Sequence, residues 1–424
     1  MLTQEENRLL TQVGAGTPMG ELLREYWTPA LRSAVLEADG APKRVRLLGE
    51  NFVAFRATDG RVGFFDEGCP HRCTSLALAR NEDNALTCIF HGWKIDVSGK
   101  VVEVPSEPPE RRAEFAAKVR VKHYPVREGG GMVWVYLGRR DPAPKFPEFE
   151  LCRLPESHVM PRRTILNHNW FAGFEGQLDS AHVGIMHSSW TTWRPRKVYG
   201  KSDLSYSQAN TAPRFELLMQ PYGFREGALR ELADGSVYIR VREVVFPYYS
   251  FIPVNPENVQ FVVCCIPIDD EWQSQWYLYY RPDRPMSDAD KAEIMEGAVN
   301  DLDDFGGNRG SVDNMWHQDR NAMKEGHFTG ITWSVQHEDL VVQESQGVLL
   351  DRSREYLGSS DSVIIRVRRM LLNAAREHQA GKPAPWLDDR CDYSRIRPLA
   401  YRIPGDVKWH EVDPISPPAY RFEP

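Results

Sequence analysis

The spacing of apolar positions changes along the chain and divides it into stretches of different character. Residues 1–42 read as mostly helical, broken at Gly14, Gly16 and Pro18, with a short helix over Glu21–Trp27 stopped by Pro29. From Arg44 the period drops to two. Val45, Leu47, Phe52 and Ala54 alternate with other residues, Asp59-Gly60 marks a tight turn, and Val62 and Phe64 continue the alternation, which predicts a hairpin. The same period returns over Lys118–Leu137, around the Gly129-Gly130-Gly131 turn. Residues 44–138 thus read as a small all-β module with long loops. Pro142, Pro144 and Pro147 mark a linker.

Beyond the linker, residues 163–190 carry Trp, Phe and Gly with acids and histidines on a helical spacing. Five β-like segments follow: Arg214–Gln220, Val237–Val245, Tyr248–Val254, Gln260–Ile266 and Gln273–Tyr280. They suffice for a large antiparallel sheet. Two helices are predicted over Ser287–Asp304 and Asp361–Gln379, the second with Val363, Ile364, Val367, Met370, Leu371 and Ala374 on one face. Eight prolines from Lys382 onward predict an ordered arm over the surface. The fold class expected is α+β. A helical segment over 1–43 packs on the second domain, an all-β domain spans 44–145, and a larger domain with its C-terminal arm spans 146–424.

Composition narrows the function. The chain has 424 residues, 42% apolar and 26% charged, enough for a sizeable core without disulfide staples. A net charge of −7 and the lack of a basic tail argue against nucleic acid as a partner. The acidic, polar start is unlike a signal peptide, and the longest apolar run, Phe261–Ile268, is too short for a membrane span. A soluble cytoplasmic protein, without membrane partners, is expected. Seven cysteines, an odd count, argue against a disulfide framework.

Two of those cysteines fall in a pattern with chemistry. Cys69-Pro70-His71 is followed after sixteen residues by Cys88-Ile89-Phe90-His91-Gly92-Trp93, giving C-x-H-x16-C-x2-H in the loops of the β module. Two thiolates and two imidazoles suit a Rieske [2Fe–2S] centre, in which two His replace two Cys on one iron. A zinc site uses the same ligand types, but a C2H2 finger draws each like pair from one element, whereas each loop here gives one Cys and one His. Respiratory Rieske proteins usually have a second Cys in each loop and a Ser after the His-Gly pair. Here Cys73 stands in the first loop, but Phe90 and Trp93 occupy the other two places. Fewer hydrogen bonds to the cluster favour a lower potential, as in oxygenases. Cys73 is then expected to be a small packing residue.

The second pattern is E-x3-D-x2-H-x4-H: Glu175, Asp179, His182 and His187. On one helix the first three share a face, and the helix turns or ends before His187. Two His and a carboxylate form the facial triad of mononuclear non-haem Fe(II) oxygenases.

With both patterns in one chain, the sequence resembles the catalytic α subunit of Rieske non-haem iron ring-hydroxylating oxygenases over nearly its whole length. Gly16-Thr17-Pro18-Met19-Gly20, Gln318-Asp319-Arg320-Asn321 and Gln343-Glu344-Ser345-Gln346-Gly347 resemble the phthalate 4,5-dioxygenase branch, whose members lack a β subunit. The resemblance implies Cys69, His71, Cys88 and His91 as cluster ligands. It implies His182, His187 and a distant carboxylate, Asp339 with Glu338 as the adjacent alternative, as ligands of Fe(II). Asp179 is then a bridge between His182 and the second cluster His of a neighbouring chain, in a homotrimer. Glu175 is either a further acid orienting the site or a salt-bridged one.

The resemblance further implies that electrons from NAD(P)H reach the cluster through a flavin and a ferredoxin-type centre. No G-x-G-x-x-G or C-x4-C-x2-C run occurs in this sequence, so these belong to a separate reductase or ferredoxin. The expected reaction is O2-dependent hydroxylation of an aromatic compound, an aromatic carboxylate such as phthalate. O-demethylation of a methoxylated aromatic acid is the alternative, and a non-catalytic Rieske electron carrier the distant one. Candidate carboxylate partners are Arg225, Arg230, Arg240 and Arg242, with Trp190 and Trp193 as candidate pocket walls.

Overall fold

The computed structural model describes residues 1–193, 200–297 and 310–421. The first helix, Gln4–Thr11, is closed by a capping box between Thr3 and Glu6, and the second spans Pro18–Arg24. The chain then enters a strand, Thr28–Arg32, inside the stretch read as helical. Pro29 lies within this strand, which pairs with Met132–Val135 through a register shift between Pro29 and Leu31.

The β module has three antiparallel sheets. Lys43–Leu47, Glu50–Arg56 and Val62–Asp66 form the first. Arg80–Glu82, Ala85–Thr87, Lys94–Asp96 and Val101–Glu103 form the second. Thr28–Arg32, Met132–Val135 and Val126–Gly129 form the third. The module also carries a helix, Arg112–Lys118, whose Phe115 packs edge-on to Trp93.

The large antiparallel sheet has eight strands. Its order is Val159–Leu166, Gln273–Tyr280, Gln260–Pro267, Tyr249–Phe251, Val237–Val245, Gly223–Glu231, Arg214–Gln220. The eighth strand, Leu399–Ile403, pairs with Val237–Val241 and belongs to the proline-rich arm.

Two strands differ from the sequence reading. Val159–Leu166 is not read as a strand from the sequence, and its last four residues fall in the stretch read on a helical spacing. Gly223–Glu231 escaped detection because its cavity-side positions, Glu226 and Arg230, are charged yet buried, which hides the period-two signal. The strand read over Tyr248–Val254 is shorter, Tyr249–Phe251. The helix read over Ser287–Asp304 is Asp288–Gly297 among the described residues, and positions 298–304 lie outside them. The second predicted helix spans Ser362–Gln379.

One apolar core runs through the N-terminal helices, the third sheet of the module and the large sheet. Trp134 meets Tyr249 at 6.1 Å between ring centroids, and Phe149 meets both Tyr249 at 5.5 Å and Phe251 at 5.2 Å. A separate core of Val53, Phe55, Phe65, Leu76, Leu86 and Ile95 supports the loops that carry Cys69 and Cys88. No helix among the described residues is long and apolar enough to cross a membrane.

Candidate metal centres and the oxygenase site

The two cluster loops have the same backbone turn. The amide of Cys73 donates to the carbonyl of Cys69 at 2.9 Å, and that of Gly92 to the carbonyl of Cys88 at 3.0 Å. Each closing residue has positive φ, +58° at Cys73 and +70° at Gly92. Cys73 is therefore exposed at a strained turn rather than a packing residue. Cys69 and Cys88 are buried, and burial first, then the neighbouring Cys88 thiol, pushes the Cys69 thiol up to about 11. His71 and His91 turn their Nδ1 atoms toward each other, 3.1 Å apart. Trp93 stacks flat on His71 at 4.6 Å and donates to Ser106 at 3.1 Å, which fixes the ring plane. Two adjoining buried thiols with two inward-facing Nδ1 atoms fit a [2Fe–2S] cluster.

The second centre begins on the helix Trp170–Leu178, capped by Asn169. The helix ends at Leu178, so Glu175, Asp179 and His182 do not share a helical face. Asp179 instead starts an Asx turn, accepting from the amides of Ala181 at 2.7 Å and His182 at 3.3 Å. This turn swings His182 into a 3-10 segment, His182–Gly184. Burial would raise the Asp179 carboxyl, but the hydrogen bond and charge of His182 hold it down at about 2.

Glu175 faces the opposite way. Its carboxylate, buried, takes Arg352 at 2.7 Å and Arg368 at 2.6 Å. It is a structural ion-paired acid and does not orient a ligand.

The third donor comes from the helix Val335–Ser345, capped by Ser334. Its successive acids point about 100° apart. Asp339 Oδ1 lies 3.5 Å from His182 Nε2 and 3.2 Å from His187 Nε2. Donor atoms of His182, His187 and Asp339 all lie within 4.8 Å of one another, which fits one metal ion with open positions. Glu338, 0% exposed, lies behind this set. Its Oε2 accepts from His187 Nδ1 and Trp190 Nε1, each at 2.7 Å, and its Oε1 accepts from Thr329 Oγ1 at 2.5 Å.

A cavity of about 570 Å³, its open mouth included, adjoins the triad. Ile252, Phe261 and Val263 form an apolar floor on the sheet, and Val183, Leu204 and Val335 close the other side. Arg240 and Arg242 stand at one end and Tyr277 on the strand Gln273–Tyr280. Of the candidate arginines, Arg242 is bound to Glu226 and to the carbonyl of Leu178, and Arg230 donates to the carbonyls of Ser180 and Asn210. Arg240 is 5% exposed, and its buried Nε has no hydrogen-bond partner.

Three sequence-predicted substrate contacts are corrected. Arg225 lies on the other face of the sheet, 2.7 Å from Glu243, because strand alternation turns it away from Glu226. Trp190 is spent on Glu338, and Trp193 packs edge-on to His327 at 5.6 Å, so neither lines the cavity. Tyr277 and Gln336 line it and escaped the sequence reading, since each lies in an otherwise ordinary strand or helix pattern.

A buried four-ligand loop pair in a β module, joined to a two-histidine, one-carboxylate centre beneath a large antiparallel sheet, defines an iron–sulfur oxygenase architecture. The comparisons agree. The model of the Rieske [2Fe-2S] domain matches residues 26–125, and that described as LigXa C-terminal domain like matches 135–413. The chain is 38% identical over 422 residues to the phthalate 4,5-dioxygenase oxygenase subunit of Pseudomonas putida, covering 97% of this chain and 94% of that one. It is 35% identical to the 3-chlorobenzoate-3,4-dioxygenase oxygenase subunit of Comamonas testosteroni, covering 96% and 97%. Among solved structures, Pseudomonas putida CBB5 NdmA matches with a TM-score of 0.60 at 19% identity, covering 92% of this chain and 100% of that one. The chain belongs to the family of Rieske oxygenase subunits of aromatic-ring dioxygenases and O-demethylases.

Proposed function

We propose that this chain is the terminal oxygenase for an aromatic carboxylate, with Arg240 as the residue that binds the carboxylate. The observation that carries this reading is the buried Arg240 guanidinium lining the cavity of the His182, His187 and Asp339 centre, with no hydrogen-bond partner at Nε. A buried N–H without an acceptor is costly, and an anion in the cavity would supply one. The aromatic ring lies on Ile252, Phe261 and Val263, with Val183, Leu204 and Val335 excluding water.

In this reading Cys69, His71, Cys88 and His91 hold the cluster, and His182, His187 and Asp339 hold Fe(II). When bound, the cluster supplies electrons and the Fe(II) supplies O2 activation. Asp179 orients His182 through its ring Nδ1, 3.4 Å away. Among the described residues no hydrogen bond or ion pair joins the cluster loops to Asp179 or His182 of the same chain. We therefore assign Asp179 to a bridge to His91 of a second copy, in a homotrimer served by a separate reductase or ferredoxin. We keep the division into a segment of 1–43, a Rieske domain of 44–145 and a catalytic domain of 146–424, with Thr28–Arg32 lapping onto the Rieske domain. The free cysteines suit a cytoplasmic setting.

The test is O2 uptake with a ferredoxin-type reductase across phthalates, benzoates and methoxylated benzoates, with products identified. Arg240→Met is expected to raise KM for the carboxylate substrate about a hundredfold, on the order of 3 kcal/mol for a charged hydrogen-bonded partner. An unchanged KM removes Arg240 from this role. Formaldehyde release from methoxylated acids alone points to O-demethylation, the reaction in the name of a relative 30% identical to this chain, the 5,5'-dehydrodivanillate O-demethylase oxygenase subunit of Sphingobium.

A further inference from the structure

We propose that Glu338 is the positioning residue of the mononuclear metal site, fixing the ring plane of His187 so that its Nε2 faces Asp339. The proposal rests on the reading of His182, His187 and Asp339 as the metal ligands.

The geometry is specific. Glu338 is 0% exposed, and three donors from three different segments converge on its carboxylate: His187 Nδ1–H, the Trp190 indole N–H and the Thr329 hydroxyl. The carboxylate thus ties the His187 ring to Trp190 and Thr329. The hydrogen bond from Nδ1 to Glu338 fixes the ring so that Nε2 faces Asp339 Oδ1 at 3.2 Å. The ring plane a metal requires is thus set by Glu338.

Glu338 also differs from Asp179, which meets the other histidine at 3.4 Å with about a third of its side chain exposed. Asp179 can reach a neighbouring chain; Glu338 is sealed and acts only within its own.

The experiment uses the full-length protein with its mononuclear iron removed and its cluster retained, titrated with Co(II), with binding read by equilibrium dialysis and metal analysis. Glu338→Gln keeps the shape and removes the charge. Its Co(II) dissociation constant is expected to rise about ten- to hundredfold, while the Rieske spectrum stays as in the wild type. The exchangeable His187 ring N–H resonance of the Co(II) protein, protected in the wild type, is expected to shift and exchange faster. Should Glu338→Gln fail to fold, Trp190→Phe and Thr329→Val, each removing one donor, are titrated instead, and each is expected to weaken Co(II) binding. Unchanged Co(II) affinity in a folded variant overturns the proposal. A wild-type protein that binds no Co(II) overturns the metal-site reading itself.

Discussion

At the residue scale, the sites depend on a few side chains whose neighbours fix their orientation. Asp339 is the only carboxylate among the described residues grouped with His182 and His187 as metal donors. Asp339→Ala is expected to keep the Rieske absorption spectrum and lose mononuclear iron, measured by metal analysis, and all substrate-dependent turnover. Asp179, held at about 2 by its hydrogen bond and attraction to His182 against its burial, is ionised throughout the working range. Its group has a depressed folded value, so any contribution of the charge persists as pH falls and is lost only in strong acid. Asp179→Asn is thus expected to abolish most turnover while both metals stay, and acidifying the wild type to about pH 5 is not expected to reproduce that loss. A pH–rate profile of wild type and variant checks this.

The metal donors were legible in the sequence because ligand chemistry restricts residue type and spacing. Asp339 came only from the resemblance, since a ligand far away in sequence leaves no spacing signal. Glu338 was read as a rival ligand because two adjacent acids look alike until a helix points them apart. Arg240 could not be told from Arg225 without the strand register that turns them to opposite faces.

At the element scale, the helix Trp170–Leu178 is held from behind by a buried ionic knot. Arg352 and Arg368 grip Glu175, Arg352 reaches Asn7 of the first helix at 3.0 Å, and Arg368 takes Glu355 at 2.6 Å. This knot ties the first helix, the helix Trp170–Leu178 and the helix Ser362–Gln379 together. Removing Arg352 leaves Glu175 with Arg368 alone and frees a buried acceptor on Asn7, so Arg352→Met is expected to cost about 1.5–3 kcal/mol of stability by urea unfolding. A loss below about 1 kcal/mol would show that water or a shifted side chain replaces the pair. Elements with strict periodicity, such as Ser362–Gln379 and Gln273–Tyr280, were legible in the sequence. Gly223–Glu231 was not, because burial of its charged positions inverts the rule that polar positions face solvent.

At the scale of the whole molecule, the shared core makes the two domains one packed body, with the cluster loops at its surface. Ile89 and Phe90 at the loop tip are 57% and 54% exposed, beside His91. This is a surface that a second copy covers in the proposed trimer. Sedimentation is expected to give about three times the mass of one chain, and Phe90→Glu to give monomers that keep the Rieske spectrum but lose turnover. Monomeric wild-type protein with full activity would remove the cross-chain bridge.

The most direct test of oxygenation of an aromatic carboxylate at this site is a single-turnover experiment without any reductase. The Fe(II)-loaded protein is chemically reduced, mixed with an aromatic carboxylate and 18O2, and the product analysed by mass spectrometry. The predicted result is a hydroxylated aromatic acid carrying 18O, formed in step with re-oxidation of the cluster. Re-oxidation of the cluster with neither a labelled hydroxylated acid nor a demethylated acid from any phthalate, benzoate or methoxylated benzoate would contradict it and leave an electron carrier.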